Sequence, residues 1–329
     1  MRRSLYRDAA GQMQHQLSLE QLAAALRDPQ GLIWVDFEDE PVEACEPVLR
    51  GTFGFHPLAI DDALREVHIP KIDDWGSYLY ICLHAVAFEQ GPEAQLKAHE
   101  LDAFLGDNYL VTHHDFPIPA LDHIWDRCEL DERQVAAGPD HLFYTLADEV
   151  VTAYLRSVEN LDQAIDALQD AVLARPSPET LQNVLNLKGS LLHLRRLVGP
   201  QREVFNKLAR DEYAMIDPRD RVYFRDVYDH LVRLHDINES MRDQVSGALE
   251  IYLSVINNRM NEIMKTLTII TTLFMPISFL TGFFGMNFFG PVSARLGSWT
   301  GIPSLLITLT VLVLTPAAFY LWFRRRAFV

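Results

Sequence analysis

LTIITTLFMPISFLTGFF, Leu267 to Phe284, contains no charged side chain, and neither does IPSLLITLTVLVLTPAAFYLWF, Ile302 to Phe323. Each approaches the roughly 20 apolar residues that carry a helix across a bilayer core about 30 Å thick. Only Gly285 to Gly301 separates them, so together they read as a transmembrane hairpin. The flanks set its direction. Arg259 and Lys265 precede the first span and Arg324, Arg325 and Arg326 follow the second, while the connection holds only Arg295. Positive flanks stay in the cytoplasm, so both termini are expected inside the cell and the connection outside.

Upstream, Asp217-Pro218 offers a side-chain cap followed by a proline suited to the first helical turn. From there to Phe284 the breakers well inside the stretch are Gly247 and Pro276, with Gly282 near its end. At 1.5 Å per residue such a helix is roughly 100 Å long, and only about 30 Å of it fits in lipid. The remainder is expected to stand in the cytoplasm as a stalk. One helix cannot bury that surface alone, so copies should associate along it, and like chains usually close into rings.

Charge divides along the same line. The 329 residues carry a formal charge of −16. No acidic residue follows Glu262, and the +5 beyond it leaves −21 for residues 1–262. An anionic chain of this kind does not bind nucleic acid through phosphate neutralisation; its field concentrates cations. Cys45, Cys82 and Cys128 form neither a disulfide framework nor a C-x-x-C motif, and read as buried small side chains in a reducing compartment. The polar start, Met1 to Asp8 and beyond, predicts no cleavable signal peptide. There is no Walker loop, Gly-x-Ser-x-Gly elbow or His-Glu-x-x-His, so nothing supports ATP as a partner or an enzymatic role. His113-His114-Asp115, with Asp122 and His123 nearby, invites a metal-site reading, but adjacent residues on a strand point to opposite faces.

Residues 1–138 read as a cytoplasmic α/β domain. Gly31–Asp36, Ser77–Phe88, Leu101–Leu105 and Asn108–Thr112 are strand-like, while Ser18–Asp28, Glu43–Arg50 and Pro57–Glu66 have helical spacing. Residues 139–216 read as long amphipathic helices, with breaks expected at Arg175-Pro176-Ser177-Pro178 and Val198-Gly199-Pro200. The stalk helix occupies 217–284, its first span from about 266; a loop, 285–301, a second span, 302–323, and a basic cytoplasmic tail, 324–329, complete the chain.

Along the stalk helix Asn261, Met264, Leu267 or Thr268, Thr271, Met275, Ser278 and Gly282 recur at intervals of three and four and share one face. Small and hydroxylated residues on such a face can pack helices. In a ring with this face on the axis, Met and Leu would form constrictions, while Asn, Thr and Ser oxygens would touch a hydrated ion. Mg²⁺ sheds water reluctantly and suits such oxygens, whereas the His and Cys that zinc prefers are absent from both spans.

Phe284-Gly285-Met286-Asn287-Phe288 follows the span, and the chain here resembles the CorA family of two-span divalent cation transporters, whose signature is Gly-Met-Asn. Similar stretches include Tyr223-Phe224-Arg225-Asp226-Val227-Tyr228-Asp229-His230, Ser246-Gly247-Ala248, Asn261-Glu262-Ile263-Met264-Lys265, Phe274-Met275-Pro276 and His56-Pro57-Leu58-Ala59-Ile60-Asp61-Asp62. The resemblance implies a homopentameric funnel in a bacterial inner membrane: an α/β cytoplasmic domain, an all-α stalk and two transmembrane helices, the first lining the pore. It implies passive movement of Mg²⁺, with Co²⁺ or Ni²⁺ as further cargo. Gly285, Met286 and Asn287 match the outer selectivity ring, and Asn261, Met264, Leu267, Met275 and Ser278 match pore-facing positions; Thr271 and Gly282 join them as pore-lining residues through the spacing of the stripe. Asp61, Asp62 and Asp226 fall where the family places carboxylates that bind regulatory Mg²⁺ between neighbouring subunits.

The chain departs from the family after the signature. Phe288-Phe289-Gly290-Pro291-Val292-Ser293-Ala294-Arg295 has no carboxylate, and a ring of Arg295 side chains repels cations. Gly301-Ile302-Pro303 is similar to the ZntB branch, associated with Zn²⁺. Two alternatives therefore stand beside Mg²⁺ transport: ZntB-like Zn²⁺ movement, and a CorA-fold membrane regulatory protein that transports weakly.

Overall fold

Leu32, Ile33, Trp34, Val35 and Phe37 are all buried, an apolar run interrupted by Asp36 alone, as in a strand covered on both faces. In a computed structural model, which describes residues 2–65, 69–89, 95–131, 135–174, 176–285 and 302–325, they form β3 (Leu32–Glu38) near the middle of a mixed sheet. Its other strands are β1 (Arg2–Arg7), β2 (Met13–His15), β4 (Lys71–Asp74), β5 (Leu79–Glu89), β6 (Gln95–Leu105) and β7 (Tyr109–His114). The spatial order is β2-β1-β3-β7-β6-β5-β4, with β3 and β7 parallel and the other pairs antiparallel. The strands expected at Gly31–Asp36, Ser77–Phe88, Leu101–Leu105 and Asn108–Thr112 are present with shifted ends. β1, β2 and β4 were not expected: β1 has three arginines, and β4, Lys-Ile-Asp-Asp, is a short charged strand of the kind that protects a sheet edge.

Helices α1 (Leu19–Ala25), α2 (Val42–Gly51) and α3 (Pro57–Arg65) cover one face. There Ile33, Val35, Tyr80, Cys82, Phe104 and Val111 pack with Leu22, Cys45, Val48, Phe55, Ala59 and Ala63. The Phe55 and Phe104 rings stack at 4.3 Å. On the opposite face lie α4 (Pro119–Leu130) and α5 (Pro139–Ala174), with Trp125 of α4 against Trp34, centroids 4.7 Å apart. The fully buried Asp36 beneath them accepts hydrogen bonds from Arg3 Nε (2.9 Å) and Thr112 Oγ1, which answers the cost of burying a carboxylate. All three cysteines are buried free thiols, and burial pushes Cys45 and Cys128 up to about 11.

The break near Arg175 occurs as expected. α6 (Pro178–Arg210) opens with the Ser177 hydroxyl accepting from the Thr180 amide at 3.1 Å. The break expected at Val198-Gly199-Pro200 does not occur, and α6 runs through it. Leu197, Val198, Gln201 and Val204 are buried there, so packing outweighs the one backbone hydrogen bond that proline removes. Gln201 also anchors the sheet: beyond the end of β4, the free edge of β5 donates His84 N–H to Gln201 Oε1 (3.0 Å) and its carbonyl accepts from the Tyr154 hydroxyl (2.9 Å).

The long helix α7 (Arg221–Gly285) opens at Arg221 rather than at Pro218, and α8 is Ile302–Arg325. Asp217-Pro218 instead forms a turn in which Asp217 Oδ1 accepts from the Arg219 amide at 2.8 Å, while the Asp217 amide donates to Asp140 of α5 at 2.8 Å.

Two compact units result, one up to Glu250 and one from Ile251. In the first, Phe224, Val227, Leu231, Leu234, Asn238, Met241, Val245 and Ala248 form a buried seam on α7 in alternating steps of three and four. Tyr223 stacks on Tyr144 of α5 at 4.9 Å, and Glu239 pairs with Arg195 of α6 at 3.3 Å. The second unit holds the apolar end of α7 and α8, two helices long and apolar enough to cross a membrane. Their large side chains, Phe274, Phe279, Leu309 and Leu321 among them, stand exposed on the single chain, as lipid-facing or subunit-facing surfaces do.

Candidate conduction stripe and carboxylate sites

Asn261, Met264, Leu267, Thr271, Met275, Ser278 and Gly282 all lie on α7 and all are exposed in the single chain, Met275 at 70 %. Gly285 closes the helix, and Met286 and Asn287 lie outside the described residues. The hydroxyls on this helix have a defined polarity. Thr268 donates to the Met264 carbonyl at 2.8 Å and Thr271 to the Leu267 carbonyl at 2.9 Å. With its proton committed to the backbone, each oxygen can only accept from elsewhere. A hydrated cation turns water protons outward, so acceptors are what its shell requires.

Asp61 and Asp62 sit on α3, each beside a cation of its own chain. Asp61 pairs with Arg65, which also reaches Glu46 at 3.0 Å. Asp62 lies 2.6 Å from Lys71 Nζ, and Asp73 lies 3.4 Å from the same ammonium. Burial pulls the Lys71 pKa down, but these carboxylates outweigh it and the net shift is upward.

Asp226 occupies a different neighbourhood. Exposed on α7, it lies near enough to Asp148 of α5 to act on it electrostatically: burial and the Asp226 and Glu149 charges raise the Asp148 carboxyl, against a lowering by His230. His230 Nδ1 is 3.9 Å from Asp148 Oδ1. Neighbouring carboxylates of this kind supply the hard oxygen donors that Mg²⁺ and similar divalent cations take. Asp148 and His230 were not singled out from sequence. His230 stands four residues after Asp226, a spacing that shares a helix face, but nothing in the local pattern marks Asp148, because the packing of α5 against α7 selects it.

A second feature emerges once the buried seam of α7 is known. Asp226, Asp229, Asp236, Asp243 and Glu250 are exposed and recur at intervals of three and seven. They lie two positions from the seam, roughly 200° around the helix. The His113-His114 pair divides as expected: His114 lies by Asp36, 3.4 Å away, and His113 by Asp102, 3.7 Å away, on opposite faces of the sheet.

Residues 29–325 match the model of the family described as CorA-like Mg²⁺ transporter protein. The chain is 37 % identical over 237 residues to the cobalt/magnesium transport protein CorA of Thermotoga maritima, covering 72 % of this chain and 67 % of that one. It is 26 % identical over 276 residues to the zinc transport protein ZntB of Yersinia pseudotuberculosis, covering 82 % and 80 %. In fold it matches the complete structure of the CorA magnesium transporter from Methanocaldococcus jannaschii, with a TM-score of 0.83 at 24 % identity over 99 % of this chain and 98 % of that one. The chain belongs to the CorA-like family of divalent cation transporters.

Proposed function

We propose that the chain assembles as a homopentamer in a bacterial inner membrane, both termini cytoplasmic, and forms a pore through which Mg²⁺ moves down its electrochemical gradient. The observation that carries this reading is the exposed stripe on α7, where hydroxyl and amide acceptors alternate with Met264, Leu267 and Met275. Asn287 forms the outer ring that receives the hydrated ion. The carboxylates of Asp226, Asp229, Asp236, Asp243 and Glu250 keep the same seven-residue register as the stripe, and around a shared axis they draw cations toward it. Co²⁺ and Ni²⁺ are further cargo, since a site that reads a hydration shell separates similar divalent ions poorly.

Closure follows from the cytoplasmic carboxylates. Asp226 and Asp148 of one subunit, with Asp61 and Asp62 of its neighbour, would hold regulatory Mg²⁺, which screens their repulsion and draws the ring shut. When internal Mg²⁺ falls the repulsion returns and the ring loosens.

The test is Mg²⁺ influx into liposomes loaded with a Mg²⁺-sensitive dye. The full chain should give a metal-dependent signal that Asn287→Ala abolishes; no signal, or one indifferent to that change, would sink the reading. The ZntB relative motivates a second cargo, Zn²⁺, and if Zn²⁺ neither enters nor competes, that alternative is abandoned. Arg295 motivates a third reading, a membrane regulatory protein with weak transport, which rapid flux through the unaltered chain excludes.

A further inference from the structure

The sheet face beneath α3 carries a group of metal-ligand side chains that neither the stripe nor the regulatory carboxylates use. Register assembles it. Cys82 of β5 pairs with Asp102 of β6, His84 with Glu100, and Asp102 in turn with His113 of β7. Alternation along each strand then turns all five side chains to the same face. Cys82 Sγ and one carboxylate oxygen each of Glu100 and Asp102 lie within 4.8 Å of one another. His113 Nδ1 is 3.7 Å from Asp102 Oδ2, and His84 Nε2 is 3.9 Å from Glu100 Oε2.

Those last two distances are too long for hydrogen bonds. Nitrogen and oxygen ligands about 2.0–2.2 Å from a tetrahedral zinc lie about 3.3–3.5 Å apart, so each pair has to close by only a few tenths of an ångström to share one ion. Both imidazoles line a cavity of about 200 Å³ together with Glu100, Asp102 and the Arg65 end of α3. They are 4 % and 5 % exposed, and among the described residues neither Nδ1 has a hydrogen-bond partner. Buried polar atoms are rarely left so. Tyr80 adds the support expected around a ligand: its hydroxyl donates to Asp102 Oδ1 at 2.7 Å, leaving Oδ2 toward His113.

We propose that this cluster of side chains binds one Zn²⁺-class ion per chain through Cys82, Asp102 and His113, with Glu100 and His84 completing the donor set. Sulfur and imidazole donors select borderline metals such as Zn²⁺ and Co²⁺ over Mg²⁺, which takes oxygen. The site is thus chemically unlike the conduction stripe. It also lies under the helix that carries Asp61 and Asp62, and Arg65 on its wall is the partner of Asp61.

Full-length protein, stripped by chelator and titrated with Co²⁺, tests the assignment. One Co²⁺ per chain should produce a near-ultraviolet thiolate-to-cobalt charge-transfer band. The band should vanish in Cys82→Ser, persist in Cys45→Ser and Cys128→Ser, and resist a large excess of Mg²⁺. His113→Gln keeps the thiol and should weaken Co²⁺ at least tenfold, so it decides the matter if Cys82→Ser does not fold. A folded wild-type protein without the band, a band that survives Cys82→Ser, or unchanged affinity in His113→Gln overturns the proposal. Because neither span contains cysteine, Co²⁺ in the pore gives no such band, and failure here is distinct from failure of Mg²⁺ influx.

Discussion

Tyr6 and Asp28 show how single residues tie the first strand to the loop before β3. The Tyr6 hydroxyl donates to Asp28 Oδ2 at 2.7 Å. Burial, and then this hydrogen bond, push Tyr6 up to about 12, while the same bond holds Asp28 below its ordinary value. The raised tyrosine contributes stability that is complete below pH ~10 and is lost as pH rises through 12; the lowered aspartate contributes stability present above pH ~4 and lost on further acidification. The melting-temperature loss in Tyr6→Phe should therefore be flat from pH 5 to 9 and shrink at both extremes. A loss that varies through the neutral range would contradict the pairing. Gly31 lies against the same pair, and a Cβ there would stand 2.6 Å from the Tyr6 ring and 2.9 Å from Asp28. Gly31→Ala should cost about 1–3 kcal/mol in denaturant unfolding.

At the scale of elements, α7 combines two requirements in one helix. Its seam needs alternating apolar spacing to pack on α5 and α6, and its exposed side is acidic. Asn238 interrupts the seam: it is fully buried, and neither amide atom has a hydrogen-bond partner among the described residues. An unsatisfied buried amide costs about 1–3 kcal/mol, so Asn238→Leu should raise the melting temperature of the first unit; a lower one would show that the amide is satisfied in the assembly. Asp226→Asn removes a charge from beside Asp148 and, on the proposed closure, one ligand of the regulatory ion. Liposome influx in this variant should persist at internal Mg²⁺ concentrations that shut the unaltered channel, and equal inhibition in both proteins would exclude Asp226 from closure.

The whole molecule is where the single chain is least self-sufficient. Met264, Leu267, Phe274 and Met275 are each more than half exposed, and a helix apolar all round must find lipid or other helices. Native mass spectrometry from detergent should give a mass five times that of one chain; a lone subunit would remove the pore. On the proposed topology Arg295 belongs to the external connection, and Arg295→Glu should then raise Mg²⁺ influx most at low salt, since the arginine field is screened over about 8 Å at physiological ionic strength. An increase independent of salt would assign the effect to loop structure instead.

Much of the architecture could be read without coordinates because it rests on local properties. Apolar length marks the two candidate spans, and three-four spacing places Asn261, Thr271 and Ser278 on one face of a helix; each depends only on residues close in the chain. Where competing tertiary terms enter, local reading failed: Pro200 does not end α6, because the side chains around it are buried, and β1 is a strand because β3 pairs with it. The same reason separates the two kinds of site. Spacing along one helix revealed the stripe, but the meeting of Asp148 with Asp226, and of Cys82 with Asp102 and His113, depends on helix packing and strand register between segments far apart in sequence. Only the folded chain decides those distances, because the contacts that set them belong to no single segment.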